Sequence, residues 1–203
     1  MKVFLDLDGT LIDNRLRIFT LFCKLVPECQ WSIEEYWNIR RNNINQYTLL
    51  KQFFCYSEQQ IKSVNTLWLN EIETPGLLTL DSAFNNIHAL LNELSQKKEL
   101  FLVSARQNPN HAITQLKNLD LFNYFEGVYF TKQKKSKLDL IRRMKIMPED
   151  VFAGDTGDDI ILGKKLNAKT VAVYSGNLNR DILLSYQPTE IVSVLTSSIV
   201  IWN

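Results

Sequence analysis

The feature that most constrains this chain is an apolar run near the N-terminus that ends in two aspartates. Residues 3–5 are Val, Phe and Leu, and Asp6, Leu7, Asp8, Gly9 and Thr10 follow. The apolar run predicts a buried strand, in which residues two positions apart point to the same side. Asp6 and Asp8 are therefore expected to share one face at the end of that strand. Burial and the neighbouring like charge both disfavour the ionised form of the two carboxylates. A bound Mg²⁺ is the simplest way to compensate their negative charge.

Two other interpretations of the Asp-x-Asp-Gly pattern have to be weighed. Short surface turns are rich in Asp and Gly, so the four residues alone carry little weight. A calcium loop needs more oxygen ligands and a late Glu, and residues 11–15 do not supply that spacing. The preceding strand favours a ligand site over either alternative.

Length and composition predict one large domain, or one domain with an insertion. The chain has 203 residues, 45% of them hydrophobic, and a formal net charge of +1. Such a balance gives no support to a nucleic-acid or membrane partner, and no apolar run is long enough for a membrane span. The N-terminus lacks the plan of a signal peptide. Cys23, Cys29 and Cys55 lack CxxC spacing and are expected to be free thiols, so we expect a cytoplasmic location.

The first part of the chain shows only helical patterning, from about residue 18 to residue 71. Pro27 separates two runs of this pattern, and Pro75-Gly76 closes the block. Three tryptophans, Trp31, Trp37 and Trp68, lie in it. The aromatic side chains are interpreted as packing between helices rather than as a cofactor site.

After this block, predicted helices and strands alternate. The strands are expected at 100–103, 127–130, 151–153 and 170–173, and the helices at 83–96, 113–121, 138–144 and 160–166. Asp81 or Ser82 is expected to cap the first of these helices. The alternation implies right-handed crossovers and a mainly parallel sheet. Beyond Pro188 the pattern fits either a strand and a helix or two strands.

Polar residues follow the predicted strands at their carboxyl ends, where open parallel sheets bind ligands. Ser104 ends the strand at 100–103, and Asp155 follows the strand at 151–153. Asp155 would complete a hard oxygen site with Asp6 and Asp8. Helix capping is the alternative for this acidic segment, and it explains Asp158 or Asp159 better than it explains Asp155.

A basic run at residues 132–137 contains four lysines, most of which are expected to be solvated. One lysine close to the carboxylates would balance their charge and hold a phosphate. Lys137 is the favoured residue because it comes directly before an apolar helix. Lys135 is the alternative.

Taken together and in this order, the motifs around Asp6, Ser104, Lys137 and Asp155 resemble those of the haloacid dehalogenase (HAD) superfamily, over about residues 2–173. The resemblance is to the phosphatase branch with an α-helical cap, which includes phosphoglycolate phosphatase-like proteins. It implies an α/β fold, with a Rossmann-like parallel sheet flanked by helices and an inserted all-helical cap. The core domain would comprise residues 1–14 and 76–203, and the cap residues 15–75.

The resemblance also implies roles for individual residues. Asp6 would be the nucleophile that forms an aspartyl-phosphate, and Asp8 the general acid and base. Mg²⁺ would be held by Asp6, by the backbone carbonyl of Asp8 and by Asp155, with Asp159 orienting the lysine or a metal-bound water. The residues expected to bind the phosphoryl group are Gly9, Thr10, Ser104, Ala105 and Lys137.

The expected function is Mg²⁺-dependent hydrolysis of a small phosphomonoester. A phosphomutase similar to β-phosphoglucomutase and a non-catalytic binding module on the same fold are the alternatives. Arg106 would contact substrate or pair with an acid at the surface, and Asp158 has no assigned role. The chain could act as a monomer or as a homodimer.

Overall fold

The structure, a computed structural model, describes residues 1–195. A six-stranded sheet forms its centre, and a two-stranded ribbon lies beside it. The strands are β1 (Lys2–Leu5), β2 (Ile12–Asp13), β3 (Ser82–Ala83), β4 (Glu99–Ser104), β5 (Gly127–Phe130), β6 (Val151–Gly154), β7 (Lys169–Val173) and β8 (Glu190–Val192). The large sheet has the order β5-β4-β1-β6-β7-β8, and all its neighbours are parallel.

The helices cover both faces of this sheet and form the block that the sequence predicts. They are α1 (Arg15–Leu25), α2 (Ile33–Arg40), α3 (Gln46–Phe53), α4 (Glu58–Glu71), α5 (Pro75–Leu78), α6 (Ile87–Ser95), α7 (Pro109–Asn118), α8 (Lys137–Ile141), α9 (Gly157–Lys165) and α10 (Arg180–Ser185). A short 3₁₀ helix covers Phe122–Tyr124. The α/β class with a Rossmann-like parallel sheet flanked by helices is thus confirmed.

The central strand β1 is buried on both faces because its apolar residues pack on each side of the sheet. Val3 and Leu5 join one hydrophobic cluster, while Phe4 packs between Phe101 and Phe152 on the opposite face, with ring centroids 5.2 and 4.5 Å away. The register aligns Leu5 with Leu102 of β4 and Ala153 of β6. The carboxyl ends of these three strands therefore lie side by side.

Helices α1–α4 pack around a hydrophobic cluster of their own. Phe22, Tyr36, Leu49 and Ile61 are buried in it, and Phe54 packs edge-on against Phe22 at 5.7 Å between centroids. This confirms that the aromatic side chains pack between helices. Capping boxes begin α2 at Ser32 and α4 at Ser57, where they satisfy backbone N–H groups at the start of each helix. The division between core and cap stays a prediction, and α5 spans the proposed boundary between residues 75 and 76.

The antiparallel ribbon of β2 and β3 pairs Ile12 with Ala83 and so joins the two ends of the segment that contains helices α1–α5. The predicted helix over 83–96 was wrong at its start because β3 occupies Ser82–Ala83 and α6 begins at Ile87. Asn86, with a φ of 65°, precedes that helix. Asp81 does not cap it, because its carboxylate binds Arg17 instead.

Three further expectations can be compared with the structure. Cys23, Cys29 and Cys55 carry free thiols, as predicted. Within residues 1–195 there is no helix with the length and apolar character needed to cross a membrane. β8 fits the first part of both alternatives for the chain beyond Pro188, and the rest of that prediction, from residue 196 onward, lies outside the described residues.

Candidate active site

Three adjacent strand ends bring the candidate residues together at one edge of the sheet. Asp6 follows β1, Ser104 ends β4, and Asp155 follows β6. The backbone N–H of Asp6 donates to the carbonyl of Ala153 at 3.0 Å, which extends the pairing of β1 and β6 by one residue. The carboxylates of Asp6 and Asp155 are thereby directed to the same place.

Two glycines allow the backbone to approach Asp155 closely. Gly9 has a φ of +76°, and a Cβ there would lie 2.2 Å from Asp155 Oδ2. A Cβ at Gly176, in the loop after β7, would lie at the same distance from that oxygen. A larger residue at either position would displace the carboxylate, and at Gly9 it would also be strained by the left-handed backbone.

Three buried carboxylates form a group that we call the acidic cluster: Asp6, Asp155 and Asp159. One oxygen from each lies within 4.8 Å of the others. Lys137, the first residue of α8, donates from Nζ to Asp6 Oδ1 and to Asp159 Oδ1, both at 2.6 Å. Thr156 also donates to Asp159 Oδ2 at 2.6 Å. Three carboxylates thus face one ammonium group, which leaves a local excess of negative charge.

This excess is visible in the pKa values. Burial raises the pKa of Asp6 to about 7, and Asp159 and Asp8 act in the same direction, while Lys137 opposes them. Burial, followed by the charge of Asp6, raises the pKa of Asp155 well above its usual value. Burial would lower the pKa of Lys137, but Asp159 and Asp6 outweigh it and raise that pKa. The site therefore favours an added positive charge.

The acidic cluster fits a divalent cation such as Mg²⁺. Oδ1 of Asp155 is buried and has no hydrogen-bond partner among residues 1–195. Its other oxygen, Oδ2, accepts from the backbone N–H and the side-chain Nδ2 of Asn177 at 2.6 and 2.7 Å. An unpaired carboxylate oxygen beside another carboxylate is a donor set suited to a hard cation. The Asp8 carboxylate, which the sequence also placed among the metal ligands, lies outside this group.

Asp8 instead binds two arginines, Arg17 and Arg106, which we call the arginine clamp. Arg106 donates from Nε to Oδ2 at 2.6 Å and from Nη2 to Oδ1 at 2.9 Å, and Arg17 donates from Nη2 to Oδ1 at 2.5 Å. Asn14 adds a fourth hydrogen bond to this carboxylate, from Nδ2 to Oδ1 at 3.0 Å. Burial would raise the pKa of Asp8, but Arg106 and then Arg17 outweigh it and hold that pKa well below its usual range.

The clamp corrects one expectation and adds residues that sequence reasoning missed. Of the two alternatives for Arg106, pairing with an acid at the surface was wrong in its location, because Arg106 is only 3% exposed and pairs with Asp8 and Asp81 inside the protein. Arg17 and its partner Asp81 were not identified as site residues. They are 64 positions apart in the chain, and neither belongs to a recognisable motif. Only the tertiary structure brings them to Asp8.

The remaining candidates differ in exposure. Ser104 and Thr10 are buried, and Thr10 Oγ1 has no hydrogen-bond partner in the described part of the chain. Ala105 is exposed beside Ser104. Lys135 and Asp158 are also exposed, and it is Lys137, not Lys135, whose ammonium reaches Asp6.

Comparisons with known proteins bear on the family and the fold. The sequence pattern of the haloacid dehalogenase-like hydrolases matches residues 3–173. A haloacid dehalogenase-like family hydrolase from Streptococcus pneumoniae is similar in structure, with 23% identity over 95% of this chain and 93% of that one and a TM-score of 0.77. No curated protein sequence matches the chain.

Two other solved structures share the fold. One, from Clostridium acetobutylicum, is described as a predicted phosphatase and has 18% identity over 98% of this chain and 95% of its own, with a TM-score of 0.73. The other, from Haemophilus somnus, is described as a predicted phosphoglycolate phosphatase and has 16% identity over 99% and 97%, with a TM-score of 0.72. At these identities the likeness shows a common fold.

Proposed function

The chain belongs to the haloacid dehalogenase-like hydrolase family, and we propose that it is a Mg²⁺-dependent phosphatase of a small phosphomonoester. The observation that carries the proposal is the acidic cluster, in which Asp6 at the end of β1 contacts Lys137 and lies beside Asp155 with its unpaired oxygen. A fold without chemistry has no need to bury three carboxylates around one lysine, because each buried charge destabilises the fold.

Asp6 is the proposed nucleophile. Its carboxylate oxygen attacks phosphorus, the bond from phosphorus to the ester oxygen breaks, and an aspartyl-phosphate forms on Asp6. The leaving alkoxide takes the proton that Asp8 gained from water in the preceding turnover. Splitting one displacement into two in this way is the general advantage of covalent catalysis. Asp6, Asp155 and the backbone carbonyl of Asp8 would hold Mg²⁺, with Asp159 close by. When bound, this cation would neutralise part of the negative charge on the phosphoryl group and the nucleophile.

Asp8 is the proposed acid–base residue. In the second step a water oxygen attacks the aspartyl-phosphate, Asp8 accepts the proton of that water, and the bond between phosphorus and Asp6 breaks to give inorganic phosphate. The ionised form of Asp8 that the arginines favour is the form this step requires. Its side chain is 22% exposed, so a water or a substrate oxygen can reach it.

The transferring phosphoryl group needs donors that are already in place. Lys137 supplies an ammonium group next to Asp6, and Thr10 supplies a buried hydroxyl with no partner among the described residues. Ser104, Ala105 and the backbone of Gly9 complete the proposed phosphate site. Such donors stabilise the charge that develops in the transition state.

The test is release of phosphate from 4-nitrophenyl phosphate by the purified protein. Turnover is expected with Mg²⁺ and is expected to vanish with a chelator or in Asp6→Asn. Acid quenching of a wild-type reaction should leave phosphate on Asp6, which mass spectrometry of the peptide would locate. The matched control is Asp158→Asn, since Asp158 is an exposed acid in the first turn of α9, three residues after Asp155, and should keep wild-type turnover. Full activity of Asp6→Asn in metal-containing buffer would show that the nucleophile assignment is wrong.

A further inference from the structure

We propose that Arg17 and Arg106 are positioning residues for the reaction, because they fix the orientation in which the Asp8 carboxylate meets the attacking water. The inference rests on the proposed function, in which Asp8 accepts the proton of that water. The two arginines carry no role in the steps described so far. Their contacts to Asp8 come from two different elements, helix α1 and the loop after β4.

The contacts fix the plane of the carboxylate and not only its position. Arg106 makes two parallel hydrogen bonds, from Nε to Oδ2 at 2.6 Å and from Nη2 to Oδ1 at 2.9 Å. A bidentate guanidinium–carboxylate pair of this kind determines orientation, which a single lysine ammonium cannot do. Arg17 adds a third bond to the carboxylate, from Nη2 to Oδ1 at 2.5 Å, and so opposes rotation out of that plane.

The clamp is itself held by buried polar groups. Asp81, whose side chain is fully buried, accepts from Arg17 Nε at 2.9 Å, and the Arg106 Nη2 atom lies 3.4 Å from its Oδ2. Gln115 accepts from Arg106 Nη2 at 3.0 Å and donates to Asp81 Oδ2 at 2.8 Å. The arginines therefore have little freedom to rotate, and neither does the carboxylate that they bind.

Folding alone does not require this arrangement, which argues for a role beyond folding. Buried ion pairs are often replaceable by apolar residues at no loss of stability. Nη1 of Arg106 is buried and has no hydrogen-bond partner within residues 1–195, which adds the cost of an unsatisfied donor. Asp8, whose side chain is 22% exposed, could be solvated without either arginine. What the clamp adds is a fixed geometry.

Arg17 also connects Asp8 to both ends of the helical block. It lies in α1, the first helix of that block, and its Nη1 donates to the carbonyl of Ile72 at 3.0 Å, directly after α4. The orientation of Asp8 thus depends on where these helices lie relative to the sheet.

The test is a double-mutant cycle, in which kcat for 4-nitrophenyl phosphate is compared between the wild type, the single variants and the double variant. If the clamp serves hydrolysis of the aspartyl-phosphate, Arg106→Gln should lower kcat about 10- to 100-fold, a part of the roughly 10²- to 10⁴-fold typical of acid–base catalysis. Rapid mixing should show a burst of nitrophenolate close to one equivalent of enzyme, because the covalent intermediate accumulates. A purely structural defect would lower the amount of active protein and would produce no such burst. Arg106→Lys should not restore kcat, since it cannot form both parallel bonds.

Arg106→Gln in an Asp8→Asn background separates a role of Arg106 through Asp8 from a role that is independent of Asp8. Because the clamp acts through Asp8, Arg106→Gln should then lower kcat by no further factor. An equal loss in both backgrounds, or unchanged kcat in the single variant, would overturn the proposal. If Arg106→Gln does not fold, Gln115→Leu provides the second cycle, since Gln115 holds Arg106 without touching Asp8.

The matched control is Arg15→Gln. Arg15 forms a more exposed pair with Asp13 only two residues from Arg17, and its loss should leave kcat and the burst unchanged. A wild-type protein that releases no nitrophenolate would overturn the phosphatase proposal itself, and this inference with it. If the wild type is active but Arg106→Gln lowers kcat by the same factor with and without Asp8→Asn, only the role of the clamp is overturned.

Discussion

The two sides of the candidate site solve the problem of buried charge in opposite ways. On one side, Lys137 is the sole cation that contacts the acidic cluster in the described part of the chain, so three carboxylates face a single ammonium. On the other side, Asp8 and Asp81 face the two guanidiniums of the arginine clamp, and the formal charges cancel. The first side favours an added cation, and the second is complete without one.

The difference shows why two aspartates only two positions apart have pKa values shifted in opposite directions. Burial raises the pKa of Asp6, whereas burial is outweighed at Asp8 by Arg106 and Arg17. Chemically similar carboxylates can thus be assigned a nucleophilic and a proton-accepting role by their partners alone.

The largest effect is expected from Asp155→Asn, which removes one charge from the unbalanced side. Turnover should fall to background, because the proposed Mg²⁺ ligand is lost. In chelator, however, the variant should melt at a higher temperature than the wild type, since an amide beside Asp6 relieves repulsion between buried carboxylates. Thermal melts by circular dichroism, with Mg²⁺ and with chelator, measure both states.

In the same melts, Mg²⁺ is expected to stabilise the wild type. A ligand present at 100 times its Kd stabilises by about 2.7 kcal/mol, and each kcal/mol corresponds to roughly 2–4 °C for a chain of this size. Mg²⁺ should therefore raise the wild-type Tm and leave that of Asp155→Asn unchanged. A variant that melts below the wild type in chelator would contradict the idea that the acidic cluster is unbalanced.

A smaller loss is expected when the single cation of the acidic cluster is removed. Lys137→Ala should lower kcat about 100-fold, within the range of roughly 10² to 10³ seen when one transition-state donor is lost. Lys135→Ala is the matched control, because Lys135 is an exposed lysine two residues away. Steady-state kinetics with 4-nitrophenyl phosphate decide between them, and a larger loss in Lys135→Ala would reverse the assignment.

The smallest effect is expected at Asn177, which contacts Asp155 but does not belong to the acidic cluster. Asn177 holds one oxygen of Asp155, and Asn177→Ala should weaken Mg²⁺ affinity about 10- to 100-fold, as is typical of residues that orient a metal ligand. At saturating Mg²⁺, kcat should be close to wild type. The backbone N–H of Asn177 remains in the variant, which limits the loss.

Asn179→Ala controls for the loop itself. Asn179 caps α10, where its Oδ1 accepts from Ile182, and it does not contact Asp155 in the described structure. This variant should lose about 1 kcal/mol of stability, as is typical for a cap, with Mg²⁺ affinity unchanged. Equal Mg²⁺ affinities in the two asparagine variants would show that Asn177 does not orient Asp155.

Sequence reasoning could predict the parts of the site that follow directly from strands. Asp6, Ser104 and Asp155 could be placed together because parallel strands end at one edge of a sheet, and apolar runs mark those strands. Lys137 could be favoured because it precedes an apolar helix. The predicted strands at 100–103, 127–130, 151–153 and 170–173 all lie within observed strands.

The parts that could not be predicted depend on packing between distant segments. Nothing close in sequence to Arg17 indicates that it will be buried against Asp8 and Asp81, since an arginine in an amphipathic helix usually faces solvent. The short strand β3 was missed for a related reason. Two residues have no periodicity of their own, and Ser82–Ala83 is extended only because Ile12–Asp13 pairs with it.

The two-residue ribbon of β2 and β3 has an evolutionary consequence. The chain leaves the ribbon at Asp13 and returns to it at the neighbouring Ser82, so the segment between them starts and finishes at one point of the fold. A segment joined in this way can be lengthened, shortened or exchanged without altering the register of any strand in the large sheet. Selection could therefore change this segment while leaving the strand ends at Asp6, Ser104 and Asp155 in place, but any replacement would have to supply the contact that Arg17 makes to Asp8.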